Sequence, residues 1–214
     1  MVTGAPGGTP NPNAPGGTPN PNAPGGTPNP GAGDRLERFG AALRANEATV
    51  VGPLDWEAAA GTALALTLER AAGAAVAVAT GDPVLTRLGF TARLEDAGAK
   101  VLLPEDPAWA ELLPSAGAGV TGASFGVAAT GTVAVPCGVG SPRGVSLVPP
   151  AHICVVRASD VVEDLSEALG LLSSMPSAVA WISGPSRSAD LEMTLTLGVH
   201  GPASVDVVLV DDSG

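Results

Sequence analysis

Residues 183–202 bring together a bend, several hydroxyls, a guanidinium, a carboxylate and an imidazole, in the order Ser-Gly-Pro-Ser-Arg-Ser-Ala-Asp-Leu-Glu-Met-Thr-Leu-Thr-Leu-Gly-Val-His-Gly-Pro. The apolar run Ala178 to Ile182 before them reads as a strand buried on both faces. A buried strand that opens into Ser183, Gly184, Pro185, Ser186 and Arg187 has the make-up of an anion site. Gly184 allows close backbone approach, Ser186 offers a hydroxyl, and the Arg187 fork matches a carboxylate or phosphate. A helix beginning at Asp190 to Thr194 would aim free N–H groups the same way. The alternative is an ordinary turn with a surface arginine.

Other groups extend this set. Thr130-Gly131-Thr132 lies between two apolar runs and predicts a tight turn, either an anion-binding nest or a plain hairpin. Arg143, in Gly-Ser-Pro-Arg-Gly, is the only cation between Lys100 and Arg157. His152, His200 and Asp190 are the candidate acid–base groups, with a structural histidine as the alternative at each imidazole. The histidines are far apart and lack metal-ligand spacing, so no metal site is expected. Gly122-Ala-Ser124-Phe-Gly126 matches a nucleophile elbow, with Asp190 and His200 following in hydrolase order. An elbow needs a helix directly after its serine. Here alternating strand-like residues follow, and a serine hydrolase is not expected.

The elements that must carry these residues are short and alternating. Asp34 and Glu37 resemble an N-cap pair ahead of Leu36, Phe39 and Leu43. A second helix is expected from Asp55 to Ala72, a strand over Ala75 to Ala79, and a helix after Pro83 to about Ala97. Lys100 to Leu103 reads as a strand and Asp106 to Leu112 as a short helix. Strands are then expected at Gly119–Thr121, Phe125–Ala129, Thr132–Val135 and Ile153–Val156. A helix over Ser159–Leu172 precedes final strands at Ala178–Ile182 and Val205–Val210. The pattern predicts an α/β fold, a mostly parallel sheet with flanking helices and an inserted β-rich segment near Val120 to Val156.

Composition bounds the function. The chain has 214 residues and a net charge of −11, which argues against nucleic acid or an anionic membrane as partner. Residues 1–33 carry no charge and repeat Ala-Pro-Gly-Gly-Thr-Pro-Asn-Pro-Asn from Ala5 and Ala14, with a third copy from Ala23 that ends in Gly31. Such units have nothing to bury, so a disordered tail is expected before one domain over residues 34–214. No secretion signal is recognised there, and the cytoplasm is the expected compartment. The uncharged stretch Leu112 to Pro142 is broken by prolines and glycines and is not expected to span a membrane. Cys137 and Cys154 form no CxxC motif, and two thiolates do not hold an iron–sulfur cluster in one chain.

These motifs resemble the LUD domain family. The resemblance rests on Gly119-Val-Thr-Gly-Ala-Ser, Ala129-Thr-Gly-Thr132, Arg143, Ser146-Leu-Val-Pro-Pro-Ala-His-Ile153, Ser183 to Glu192, and Gly198-Val-His-Gly-Pro202. It implies a fold similar to the sugar-phosphate isomerase and CoA-transferase superfamily. It also implies a role in oxidising lactate to pyruvate beside iron–sulfur partner proteins, with the clusters on the partners and no cofactor in this chain. The implied ligand is a small carboxylate or nucleotide-like anion held by Thr130, Gly131, Thr132, Arg143, Ser186, Arg187, Asp190 and His200. Many relatives place glutamate before Thr-Gly-Thr, where this chain has Ala129. That departure leaves open a non-catalytic assembly subunit, and fold analogy alone adds an acyl or phosphosugar enzyme.

Overall fold

Proline, glycine and capping side chains set the element boundaries. The computed structural model describes residues 31–171, 178–189, 195–197 and 201–213. The repeat, the helix expected from Asp190 to Thr194, and Asp190 and His200 themselves lie outside the described residues. Helix α1 (Ala32–Ala45) starts from Gly31 with no side-chain cap, so Asp34 sits inside its first turn rather than capping it. Strand β1 (Thr49–Leu54) precedes α2 (Trp56–Ala71), where Asp55 caps the helix through the Ala58 N–H at 2.8 Å. Strand β2 (Ala75–Val78) leads to Asp82, whose carboxylate accepts from the N–H groups of Val84 and Leu85 and starts α3 (Pro83–Arg87). The single helix expected to Ala97 is broken at Gly89, which takes a left-handed conformation (φ 58°) before α4 (Phe90–Asp96).

Strand β3 (Val101–Leu102), α5 (Trp109–Leu112) and β4 (Ala116–Gly122) follow. Then come β5 (Phe125–Val127), β6 (Thr132–Cys137), α6 (Gly144–Leu147) and β7 (Ala151–Arg157). The helix expected from Ser159 is shorter. Residues 158–160 form a 3₁₀ turn, Val161–Val162 form β8, and α7 is Leu165–Leu171. Asp164 receives the Glu167 N–H at 2.9 Å and so marks the true helix start. Strands β9 (Ala178–Ile182), β10 (Arg187–Ala189), β11 (Leu195–Leu197) and β12 (Ser204–Val210) complete the order.

Among the described residues six parallel strands form the main sheet, in the order β1-β12-β7-β4-β2-β3. One face packs Val76, Val78, Val120, Ile153 and Val208 against Ala59, Ala60 and Ala63 of α2. The other face, through Cys154, Val156 and Val207, packs on a second sheet and on Phe39 and Leu43 of α1. That second sheet has the order β8-β5-β6-β9, with β5–β6 and β6–β9 antiparallel. The expected insert therefore supplies β5 and β6, whereas β4 and β7 belong to the parallel sheet.

Ala178–Ile182 departs from its expected setting. As β9 it is the edge of the small sheet and exposes Trp181 at 40 %. Its apolar composition suits one half-buried face and an aromatic contact, with the Trp181 ring edge-on to Phe125 at 5.7 Å. Cys137 and Cys154 are both buried and free.

Candidate functional site

The Thr-Gly-Thr turn and the Ser183–Arg187 loop do meet. Thr130 Oγ1 lies 2.7 Å from Thr132 Oγ1, which lies 2.8 Å from Ser183 Oγ, so three hydroxyls form a chain across the two segments. Both segments are fastened to the C-terminal end of α1. The Asn46 side-chain amide donates to the Thr130 carbonyl at 3.0 Å, and Gly184 packs against the Asn46 carbonyl. Gly131 has φ 60° and lies so close to Ala42 and Leu43 that a Cβ there meets backbone. The Gly131 N–H is spent on the Val127 carbonyl at 2.9 Å, so this turn aims hydroxyls outward more than N–H groups.

Arg187 is not an open cation. Its Nη2 lies 3.2 Å from Glu47 Oε2, and both side chains are well exposed. Glu47 follows the carbonyl end of α1, where a helix dipole favours positive charge. The Ser186 N–H donates to the Pro202 carbonyl at 2.8 Å, and Ser186 lines a small cavity of about 190 Å³ with Ser146, Ser183 and Gly201. Arg143 is exposed one residue ahead of α6, and the described contacts do not join its guanidinium to Arg187. Arg187–Ala189 (β10) pairs antiparallel with Leu195–Leu197 (β11), so Arg187 opens a strand, and the residues between the two strands lie outside those described.

His152 is fully buried in β7. Its Nε2 lies 2.8 Å from Thr121 Oγ1, and its Nδ1 has no hydrogen-bond partner among the described residues. Burial pushes its imidazole down to about 4, so the ring is neutral near pH 7. Neighbouring Cys154 is pushed by burial up to about 12, an inert protonated thiol. Ser124 is followed by strand β5, not a helix, which agrees with setting the elbow aside.

A larger cleft, about 560 Å³, opens where four parallel strands end. The chain runs from β2 outward to β3, then returns to β4 on the other side of β2, so the order reverses between β2 and β4. Open parallel sheets bind ligands in the crevice at the carboxyl ends of strands beside such a reversal. The loop after β1 brings Trp56, that after β2 brings Asp82 and Arg87, that after β4 brings Ser124, and β7 brings Arg157 and Asp160.

The cleft is charged and partly preset. Arg87 lies over the Trp56 ring with its guanidinium carbon 3.7 Å from the centroid, and it pairs with no carboxylate among the described residues. Arg157 binds Asp160 through two bonds of 2.5 and 3.0 Å. Asp82 is 4 % exposed, and burial pushes its carboxyl up against the lowering effect of the Leu85, Val84 and Gly122 N–H groups. Burial also raises Asp160, outweighing Arg157. An open guanidinium on this lining can hold an anion, and the Asp82 and Asp160 carboxyls of the same cleft are both raised by burial.

The motif reading missed this cluster. Thr80-Gly81-Asp82-Pro83 after an apolar strand was its visible signal, since Asp-Pro starts a helix at a strand's carboxyl end.

Comparison with known proteins agrees with this architecture. A crystal structure of a DUF162 family protein from Deinococcus radiodurans superposes with a TM-score of 0.63 at 24 % identity, covering 84 % of this chain and 98 % of that one. Lactate utilization protein C of Halalkalibacterium halodurans is 34 % identical over 139 residues, covering 61 % of this chain and 60 % of the relative. The Bacillus subtilis protein of the same name is 31 % identical over 156 residues, covering 62 % and 64 %. The chain thus spans less than two thirds of the length of the curated relatives it matches. The LUD domain itself matches residues 36–210. That span runs from α1 through β12 and takes in both sheets and every wall of the cleft, so the chain belongs to the LUD domain family.

Proposed function

We propose that this chain is a component of lactate utilisation. It takes part in oxidising lactate to pyruvate with iron–sulfur partner proteins and binds a small anionic ligand in the cleft between the β2 and β4 ends. The names of the relatives support the process. The observation that carries the site is Arg87, an open guanidinium laid on Trp56 at the edge of that cleft. A 2-hydroxy or 2-oxo acid needs one cationic fork for its carboxylate and hydrogen-bond donors for its second oxygen. Arg87 and Ser124 supply both.

The test is lactate-dependent electron transfer by the reconstituted partner proteins with and without this chain. Activity that is complete without it removes the proposal. Arg87→Ala weakens ligand binding by about 1.5–3 kcal/mol, the range for a hydrogen bond to a charged group. Unchanged binding in a titration of that variant takes the cleft out of the mechanism.

A second reading, an assembly subunit without chemistry, draws on exposed apolar side chains, Leu165 and Leu169 of α7 at 50 % and 55 % and Trp181 of β9 at 40 %. It predicts that Leu169→Glu disrupts co-purification with the partners while Arg87→Ala leaves electron transfer intact.

A further inference from the structure

The cleft offers more room and more apolar wall than lactate alone would use. A three-carbon hydroxy acid fills roughly 100–180 Å³, about three to six waters' worth of space, whereas the cleft offers about 560 Å³. Beyond its charged groups and Ser124 the wall is apolar, with Trp56, Val84, Phe125 and Pro136 among its residues. Binding pockets of this size and make-up bury an apolar body and fix it with a few polar contacts.

The charges set a second limit. Arg157 is matched by Asp160 through two hydrogen bonds, which leaves Arg87 as the cation in the cleft without a carboxylate partner among the described residues. The start of α3 adds no anion site, because the Asp82 carboxylate already receives the Val84 and Leu85 N–H groups, and Asp82 is itself a second acidic group on the lining that weighs against a multiply charged ligand. The whole chain carries −11 charges, so a polyphosphate gains little local compensation here and meets a repulsive surround. One negative charge fits. Several do not.

We infer that the cleft selects a singly charged acid with an apolar or aromatic body, a 2-hydroxy or 2-oxo acid bulkier than lactate. The inference rests on the proposed use of this cleft and goes beyond it by naming the shape of the ligand. The carboxylate sits on the Arg87 fork, and the apolar body extends past Ser124 toward Pro136.

Calorimetric titration of the full chain with lactate, 3-phenyllactate and ADP tests it. Phenyllactate is expected to bind about tenfold or more tightly than lactate, since its ring buries apolar surface that lactate lacks. Arg87→Gln weakens both acids alike. Ser124→Leu fills part of the apolar space and brings phenyllactate down toward lactate. Equal affinities for the two acids, both lost in Arg87→Gln, overturn the size selection but leave the site standing. Acid binding that is absent, or that ignores Arg87→Gln, overturns the site and the inference together. ADP binding tighter than phenyllactate overturns the single-charge limit.

Discussion

The residues that shape the cleft are held by contacts without slack. Gly122 ends β4 directly beside the Asp82 carboxyl, and a Cβ on Gly122 falls inside that group. Asp82 cannot swing aside cheaply, because the Val84 and Leu85 N–H groups hold it and lose their partner if it moves. Gly122→Ala is therefore expected to destabilise the chain by about 1–3 kcal/mol, the usual size of an overpacking penalty. Urea denaturation measures this, and a change within error means that the α3 start yields easily. At this scale the sequence was read for conspicuous chemistry. Thr130, Thr132, Ser186 and Arg187 stood out because hydroxyls and a guanidinium fell close together in short motifs. Arg87 did not, since in Pro-Val-Leu-Thr-Arg it looks like an ordinary charge in the last turn of a helix. Only the strand order, which no local spacing encodes, places it at a mouth shared by four loops.

Elements with strong periodicity or caps were legible, and those shaped by their neighbours were not. Helix α2 follows from Asp55 and its run of small and apolar residues, and β7 and β12 from continuous Val and Ile. Strand β1 is hidden in the sequence because Gly52 and Pro53 interrupt Thr49 to Leu54; proline is tolerated there because β1 is an edge strand among the described residues and its register with β12 shifts between Val51 and Leu54. One pair ties α2 to the sheet. Asp206 in β12 has no exposure and accepts two hydrogen bonds from Arg70 of α2, both at 2.9 Å. Removing the guanidinium strands a carboxylate among apolar neighbours, so Arg70→Met is expected to cost about 3 kcal/mol, the low end of the range because Arg70 is partly exposed. Adding Asp206→Leu recovers most of that loss, since no charge is then buried. Thermal denaturation of the single and double variants checks the pair. A single variant as stable as the parent means that the Arg70–Asp206 pair does not hold α2 to the sheet.

The whole molecule depends on the layer between its two sheets, which Cys154, Val156, Val133, Val135 and Ile182 fill with apolar side chains. Alternation along β7 puts His152 on the same face as Cys154 and Val156, so an ionisable ring is fully buried on the sheet face that also carries the second sheet. The ring must stay neutral for that layer to stay closed. Its pKa falls from an ordinary 6.5 to about 4 in the folded chain, so between those values the unfolded chain binds the extra proton. Stability from His152 is therefore complete above pH 6.5 and drains away as the pH falls toward 4, by about 3 kcal/mol at about 1.4 kcal/mol per pKa unit. Asp82 and Asp160 act in the opposite sense, because their raised values mean that the folded chain takes up protons first. Comparison with His152→Gln cancels those carboxyls, as glutamine can keep a bond to Thr121 without titrating. The parent is expected to be the more stable at pH 7, and its advantage to shrink by about 3 kcal/mol by pH 4, read from urea midpoints at each pH. Parallel stability curves for the two proteins across that window mean that His152 reaches solvent or a proton acceptor, and that the sheets are not sealed by a neutral ring.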